Sequence, residues 1–161
     1  MKSLLSRVMG GEKPPPTDGM PSLPSRRSVI GVVPVSSVDD RARTALSTAL
    51  SMSANRVVAV HVCDTLESGR AFTRAWERWE PGVPLVLLDR VGTGGDPVVV
   101  SVADYLSRRH TAYQTLVVVA GDHGPSRTDG QQVRPTRGDA LEAALLTLPH
   151  VVVCRQRPVA S

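Results

Sequence analysis

The strongest constraint on the fold is a set of five short apolar runs, rich in valine, that recur along the chain with polar or glycine-containing segments between them. The runs occupy residues 29–35, 57–62, 85–88, 115–120 and 151–153. They lack the 3.6-residue spacing of a helix and the strict alternation of a half-exposed strand, which is typical of strands buried on both faces. The pattern therefore predicts five interior β-strands.

The segments between these runs predict four helices. Each carries apolar residues at intervals of three and four, the spacing of a helix that buries one face. These stripes occupy residues 42–50, 72–79, 99–106 and 141–148. Alternating strands and helices favour right-handed β-α-β units, so the prediction is an α/β domain with a doubly wound parallel sheet and helices on both faces. A ligand of such a sheet binds beyond the carboxyl ends of the strands, where the strand order reverses.

Composition and charge divide the chain into a leader, one domain and a short tail. Residues 1–27 are rich in proline and glycine and hold five basic against two acidic residues, a net +3 of the total +4. We expect this segment to be a disordered basic tail or linker, residues 28–157 to form the α/β domain, and 158–161 to be a second tail. The remaining +1 indicates no basic face, so no nucleic-acid partner is expected. No apolar run is long enough to insert into a membrane, which favours a cytoplasmic protein.

The sequence contains no group of residues typical of catalysis or of a metal site. Both lysines lie in the leader, so the domain has no Walker lysine. Asp122 and His123 could be an acid–base pair, but no nucleophile stands beside them. Two cysteines and four scattered histidines lack metal-ligand spacing. We therefore expect a protein that is not an enzyme and has no metal, and we expect His61, inside a strand pattern, to be a hydrogen-bonded core residue.

The stretch from Thr115 to Leu141 has the order of elements that is typical of an anion-binding site. An apolar strand leads into a turn with Gly121 and Gly124, and Gly138 precedes a helical stripe. A strand, a glycine turn and a helix start bring free backbone N–H groups to one point. Arg127 and other arginines of this loop could bind a phosphate, although a polar loop without a ligand explains the same composition.

Several segments together resemble universal stress protein domains. They are Val33–Ser36, Val60–Val62, Gly95–Pro97, Leu116–Gly124 and Gly138, within residues 28–157. The resemblance implies a five-stranded sheet of order 3-2-1-4-5, in which the first and fourth strands flank the point of reversal. It also implies an adenine nucleotide such as ATP as the ligand.

A narrower resemblance lies in residues 76–86, Trp-Glu-Arg-Trp-Glu-Pro-Gly-Val-Pro-Leu-Val. This run is similar to the cytosolic tails, themselves stress-protein-like, of bacterial amino-acid and potassium permeases of the APC superfamily. The resemblance implies a membrane transporter as a partner. It also implies cyclic di-AMP as a ligand beside ATP.

Nucleotide-binding members of the wider family carry the pattern G-x2-G-x9-G-[ST] after the fourth strand, and this chain matches it in part. Gly121 and Gly124 fit, but thirteen residues separate Gly124 from Gly138, Asp139 replaces the hydroxyl residue, and Ser36 stands where the family has an aspartate. The candidate binding residues are Ser36, Ser37, Gly121, His123, Gly124, Arg127, Gly138 and Asp139.

Two functions stay open from the sequence. The first is a non-enzymatic regulatory or stress-response domain that binds ATP, AMP or cyclic di-AMP. The alternative is a degenerate module without a nucleotide, which acts as a dimerisation or protein-interaction domain linked to a membrane transporter. The resemblance implies an open sheet edge at the last strand, Val151, Val152 and Val153, and a homodimer through it. The alternative is a monomer in which Arg155 and Arg157 protect that edge.

Overall fold

All five apolar runs form strands of one sheet. A computed structural model describes residues 28–52, 55–92, 94–108, 114–121 and 135–156. Its elements in chain order are β1 (Val29–Pro34), α1 (Asp40–Ser51), β2 (Arg56–Cys63), α2 (Leu66–Trp79), β3 (Leu85–Asp89), α3 (Pro97–Arg108), β4 (Gln114–Val119), α4 (Arg137–Leu145) and β5 (Val151–Arg155). The predictions for residues 1–27 and 158–161 fall outside the described residues.

The sheet is parallel throughout and has the order β3-β2-β1-β4-β5. The predicted fold class and strand order are therefore confirmed. Val32 of β1 pairs with Val58 of β2 on one side and with Val117 of β4 on the other. Because β1 connects to β2 while β4 lies on its opposite side, the chain reverses its winding direction between β1 and β4. A ligand site is expected above that point.

Each face of the sheet has its own core. Val33, Ala45 and Trp76 belong to a cluster formed with α1 and α2, while Val32 and Leu145 belong to a cluster formed with α3 and α4. Adjacent residues of β1 thus enter opposite cores, because successive side chains of a strand point to opposite faces. This double burial explains why the strand sequences are almost continuously apolar.

Side-chain caps fix the first turns of the helices near the carboxyl ends of the strands. Asp39 caps α1 by accepting from the Ala42 amide at 2.9 Å, and Thr65 and Ser68 form a capping box at α2. Asp96 accepts from the Val98 amide at 2.9 Å at the start of α3, and Thr136 caps α4. Each cap satisfies a backbone N–H that the helix itself cannot pair.

The turn from α2 to β3 is organised by Trp76. Its side chain is only 5% exposed, and its indole Nε1 donates to the Val83 carbonyl at 2.9 Å. Trp79 packs edge-on against it with ring centroids 5.2 Å apart. Glu80 ends the helix at φ 48°, the left-handed conformation that reverses the chain direction. Trp79 is partly buried against the same cluster as Trp76.

The end of β5 connects to helices on both faces. Arg155 Nη1 bonds to Asp139 and to Glu142 of α4. The next residue, Gln156, donates through Nε2 to the Thr44 carbonyl of α1 at 2.9 Å. Two consecutive residues at this sheet edge therefore bind α4 on one face of the sheet and α1 on the other.

Among the described residues, no helix combines the length and the apolar composition needed to cross a bilayer.

Candidate functional site

A cavity of about 620 Å³ lies above the carboxyl ends of β1, β2 and β4. Its floor includes Val119, the last residue of β4, Val35, which directly follows β1, and Val60 in the second half of β2. This is the place at which the chain reverses its winding direction, where doubly wound sheets bind their ligands. The volume falls within the range of roughly 300–1,000 Å³ that small-molecule pockets occupy.

The wall of the cavity on the side of α3 and α4 is apolar. Val98 and Val102 come from α3, and Leu141 comes from α4. Val102 and Leu141 are buried parts of the core on that face. An apolar wall of this kind can contact the flat face of an organic ring.

The rest of the cavity lining is more polar. Ser36 follows β1, and Ser68 lies in the first turn of α2. The helices α3 and α4 present their first residues, Pro97 and Arg137, at the rim. Three helix N-termini therefore meet at one cavity, and the positive ends of their dipoles favour an anion there.

His61 forms a fixed part of the cavity wall. Its Nδ1 lies 2.9 Å from the Val35 carbonyl oxygen, and its ring stacks on Phe72 with centroids 3.6 Å apart and planes 7° from parallel. Because a carbonyl oxygen only accepts, Nδ1 carries the proton and the Nε2 of the neutral ring is an acceptor. His61 is hydrogen-bonded as expected, yet it is half-buried and borders the cavity, which the sequence pattern did not indicate.

Two arginine side chains lie on the cavity wall, and each binds a carboxylate. Arg90 Nη1 is 2.9 Å from Asp64 Oδ1, and Arg137 Nε is 2.7 Å from Asp96 Oδ2. Partial burial raises the pKa of Asp96, but hydrogen bonds from Arg137 and from the Val98 amide outweigh this effect and leave that pKa below its usual value. Asp96 therefore stays ionised at neutral pH and holds Arg137 in place.

The structure brings some of the predicted binding residues to the cavity. Ser36 and Gly138 line it. Gly121 directly follows Ala120, which also lines it. Ser37 instead donates to Asp39 at 2.6 Å and so supports the cap of α1. Three of the predicted residues, His123, Gly124 and Arg127, lie outside the described residues.

Asp139 has a structural role at the start of α4. Its carboxylate accepts from the Thr136 amide at 2.7 Å and bonds to Arg155, and its own amide donates to the Thr136 hydroxyl at 3.2 Å. These bonds hold the pKa of Asp139 below its usual value. The bond from the Thr136 amide has the largest effect, and the bond from Arg155 has the next largest. The negative charge of Asp139, which would repel a phosphate, is thus paired with the positive charge of Arg155. Asp139 is also not among the residues that line the cavity.

Sequence reasoning missed four polar residues of the cavity, His61, Asp64, Ser68 and Arg90. Asp64 and Arg90 each follow directly after the last residue of a strand, β2 and β3. Because the carboxyl ends of parallel strands share one edge of the sheet, polar residues directly after two strands could have been predicted to lie at the same site.

A comparison with known protein families identifies a family whose model matches most of this chain. The model of a family described as the KimA potassium transporter C-terminal domain matches residues 26–157. A search of curated protein sequences finds no match to this chain.

Proposed function

This chain belongs to the family of the KimA potassium transporter C-terminal domain, and from this membership we propose that it is a non-enzymatic regulatory domain that works with a potassium transporter in the cytoplasm. In this proposal the domain binds an adenine nucleotide, ATP, AMP or cyclic di-AMP, and is of the universal stress protein type. The observation that carries the proposal is the cavity at the β1–β4 reversal, with two arginines and three helix N-termini on its wall.

The two arginines of the cavity support a phosphorylated ligand. Arg90 and Arg137 supply guanidinium groups that can donate two parallel hydrogen bonds to a phosphate. Gly138, in the first turn of α4, also lines the cavity and has no side chain to occupy it. An anion between these groups gains from both the formal charges and the helix dipoles.

The apolar wall supports a ligand that also carries a ring system. Val98, Val102 and Leu141 offer a surface for a base. His61 presents a ring-nitrogen acceptor in its neutral form, which suits the exocyclic amino group of adenine. A nucleotide combines the base and the phosphate that these two parts of the cavity favour.

The hydrogen bonds of the polar residues support binding without catalysis. Ser68 donates its hydroxyl to the Thr65 carbonyl at 2.8 Å, within the capping box. The protonated nitrogen of His61 donates to Val35. A nucleophile needs a neighbouring base that can take its proton, and neither contact provides such a pair.

Calorimetry and thermal unfolding with ATP, AMP and cyclic di-AMP test this function, with adenosine as the uncharged control. A nucleotide at a hundred times its dissociation constant should add about 2.7 kcal/mol to the free energy of unfolding. Adenosine should add much less, because it lacks the phosphate that the arginines would bind. If no nucleotide binds or shifts the transition, the nucleotide-sensing function is wrong.

A second function, dimerisation, is favoured by the exposed face of β5. Val152 is 45% exposed although it lies in a strand of the sheet. It is two residues before Cys154, which packs with the α1 and α2 core, so Val152 points to the same face. An exposed apolar edge strand is a site for pairing with a second chain. We propose a homodimer through Val151, Val152 and Val153.

The dimer is tested by light scattering on Val152→Lys. A lysine on this face should lower the measured mass from that of a dimer to that of a monomer, because a charge would be desolvated in the contact. Leu66→Lys is the matched control, since Leu66 is 74% exposed and lies at the start of α2, which packs on β2 and β3. An unchanged mass for Val152→Lys would contradict dimerisation through β5.

A further inference from the structure

Each cavity arginine is held by a carboxylate that a ligand phosphate would have to displace. We infer that Asp64 and Asp96 set the affinity of the cavity for anionic ligands, by competing with such a ligand for Arg90 and Arg137. This inference rests on the proposed nucleotide function for the identity of the ligand. The competition itself follows from the contacts of the two arginines.

The Arg90–Asp64 pair is held by the geometry of the sheet. Cys63 and Asp89, the last residues of β2 and β3, are register partners, so Asp64 and Arg90 follow at the ends of adjacent strands. Their contact of 2.9 Å joins one Nη of Arg90 to one carboxylate oxygen. Both side chains are more than half exposed, at 53% and 70%, so solvent and salt screen the pair strongly. A phosphate can replace Asp64 at a small cost.

The Arg137–Asp96 pair is the firmer of the two. Asp96 uses its Oδ1 to cap α3 through the Val98 amide, which leaves Oδ2 aimed at Arg137 at 2.7 Å. The Asp96 side chain is only 27% exposed. A carboxylate that is anchored by its own helix holds the arginine in one place, so displacing Asp96 should cost more than displacing Asp64.

This arrangement favours ligands with a high charge. A group with one negative charge that replaces a carboxylate exchanges one ion pair for another and gains little. A ligand with several phosphate charges can bind an arginine while the carboxylate moves back into solvent. The same carboxylates repel any anion that does not displace them. Affinity for an anion should therefore be lower than the two arginines alone would produce, and a multiply charged ligand has more attraction with which to offset the displacement.

The test uses variants that remove each carboxylate charge but keep its shape. Asp96→Asn retains an oxygen that can cap α3, because asparagine is as good an N-cap as aspartate. We expect Asp64→Asn to tighten ATP binding by roughly threefold and Asp96→Asn by roughly tenfold, given the screening of the first pair. Asp104→Asn is the matched control, since Asp104 pairs with Arg108 at 3.1 Å on α3 and neither residue lines the cavity.

Calorimetry at fixed ionic strength, with ATP and with pyrophosphate as a probe without a base, separates the outcomes. Tighter binding of both probes in the cavity variants, with Asp104→Asn unchanged, supports the inference. If wild type binds ATP and the two variants bind it no better, the inference is wrong and the nucleotide function stands. If no form binds ATP but pyrophosphate binds and binds the two variants more tightly, the competition is supported and the nucleotide function is overturned. Failure of every variant to bind either probe overturns both.

Discussion

Replacing Trp76 with alanine should lower the free energy of unfolding by about 3–5 kcal/mol, the range for deleting a large aromatic side chain from a core. Trp76 is 5% exposed and belongs to the cluster formed with α1 and α2. The change would leave a cavity beneath α2. It would also leave the Val83 carbonyl, in a residue that is itself buried, without its indole donor. Urea denaturation followed by circular dichroism measures the loss.

Two further variants divide the effect of Trp76 into packing and hydrogen bonding. Trp76→Phe keeps most of the apolar volume and removes the donor to Val83, so it should cost about 1–3 kcal/mol. Trp79→Ala should cost less than Trp76→Ala, because Trp79 is only partly buried. Equal losses for Trp76→Ala and Trp79→Ala would contradict the central role of Trp76 in the α2–β3 turn.

Reversing the charge of Arg137 should have the largest effect on ligand binding. Under the proposed function, Arg137→Glu should weaken nucleotide binding by about 100-fold, which corresponds to about 2.7 kcal/mol. The new carboxylate would lie at the N-terminus of α4 beside Asp96, at the position that a phosphate is proposed to occupy. Calorimetry with the nucleotide that binds wild type most tightly measures the change.

The matched control for Arg137 is another arginine of the same fold. Arg108→Glu makes the same charge change at an ion pair on α3, away from the cavity lining, and should leave affinity nearly unchanged. Arg137 is more than half exposed, so neither variant should prevent folding, and the unfolding midpoint of each checks this. Retained affinity in Arg137→Glu would move the binding site away from the start of α4.

The fold could be predicted because it depends on local and repetitive signals. Each strand is a valine-rich run buried on two faces, and each helix has an apolar stripe, so the α/β class follows from the pattern alone. The strand order required the resemblance, since periodicity does not say which strands are neighbours. The N-cap of α1 is another feature that a local pattern indicates, because an acidic residue such as Asp39 directly before an apolar stripe is a common helix cap.

The chemistry of the candidate site was harder to predict because it depends on residues distant in sequence. Asp139 is an unfavourable residue in a phosphate pattern, and only its contact with Arg155, sixteen residues later, shows that its charge is matched. Arg137 and Asp96 are separated by 41 residues, and no local pattern joins them. The glycine turn predicted a site at the loop after β4, whereas half of the polar residues of the cavity come from the ends of β2 and β3.

The contacts of Arg155 and Gln156 have a mechanical consequence. A pulling force applied to the chain after Gln156 would act along β5 and load its parallel pairing with β4 in shear, from Thr115–Val151 to Val119–Arg155. The same force would act on α4 through Arg155 and on α1 through Gln156, because these side chains bond to the two helices. Because α4 also carries Arg137 and Gly138 at the cavity, tension at this end of the sheet would be transmitted directly to the candidate site.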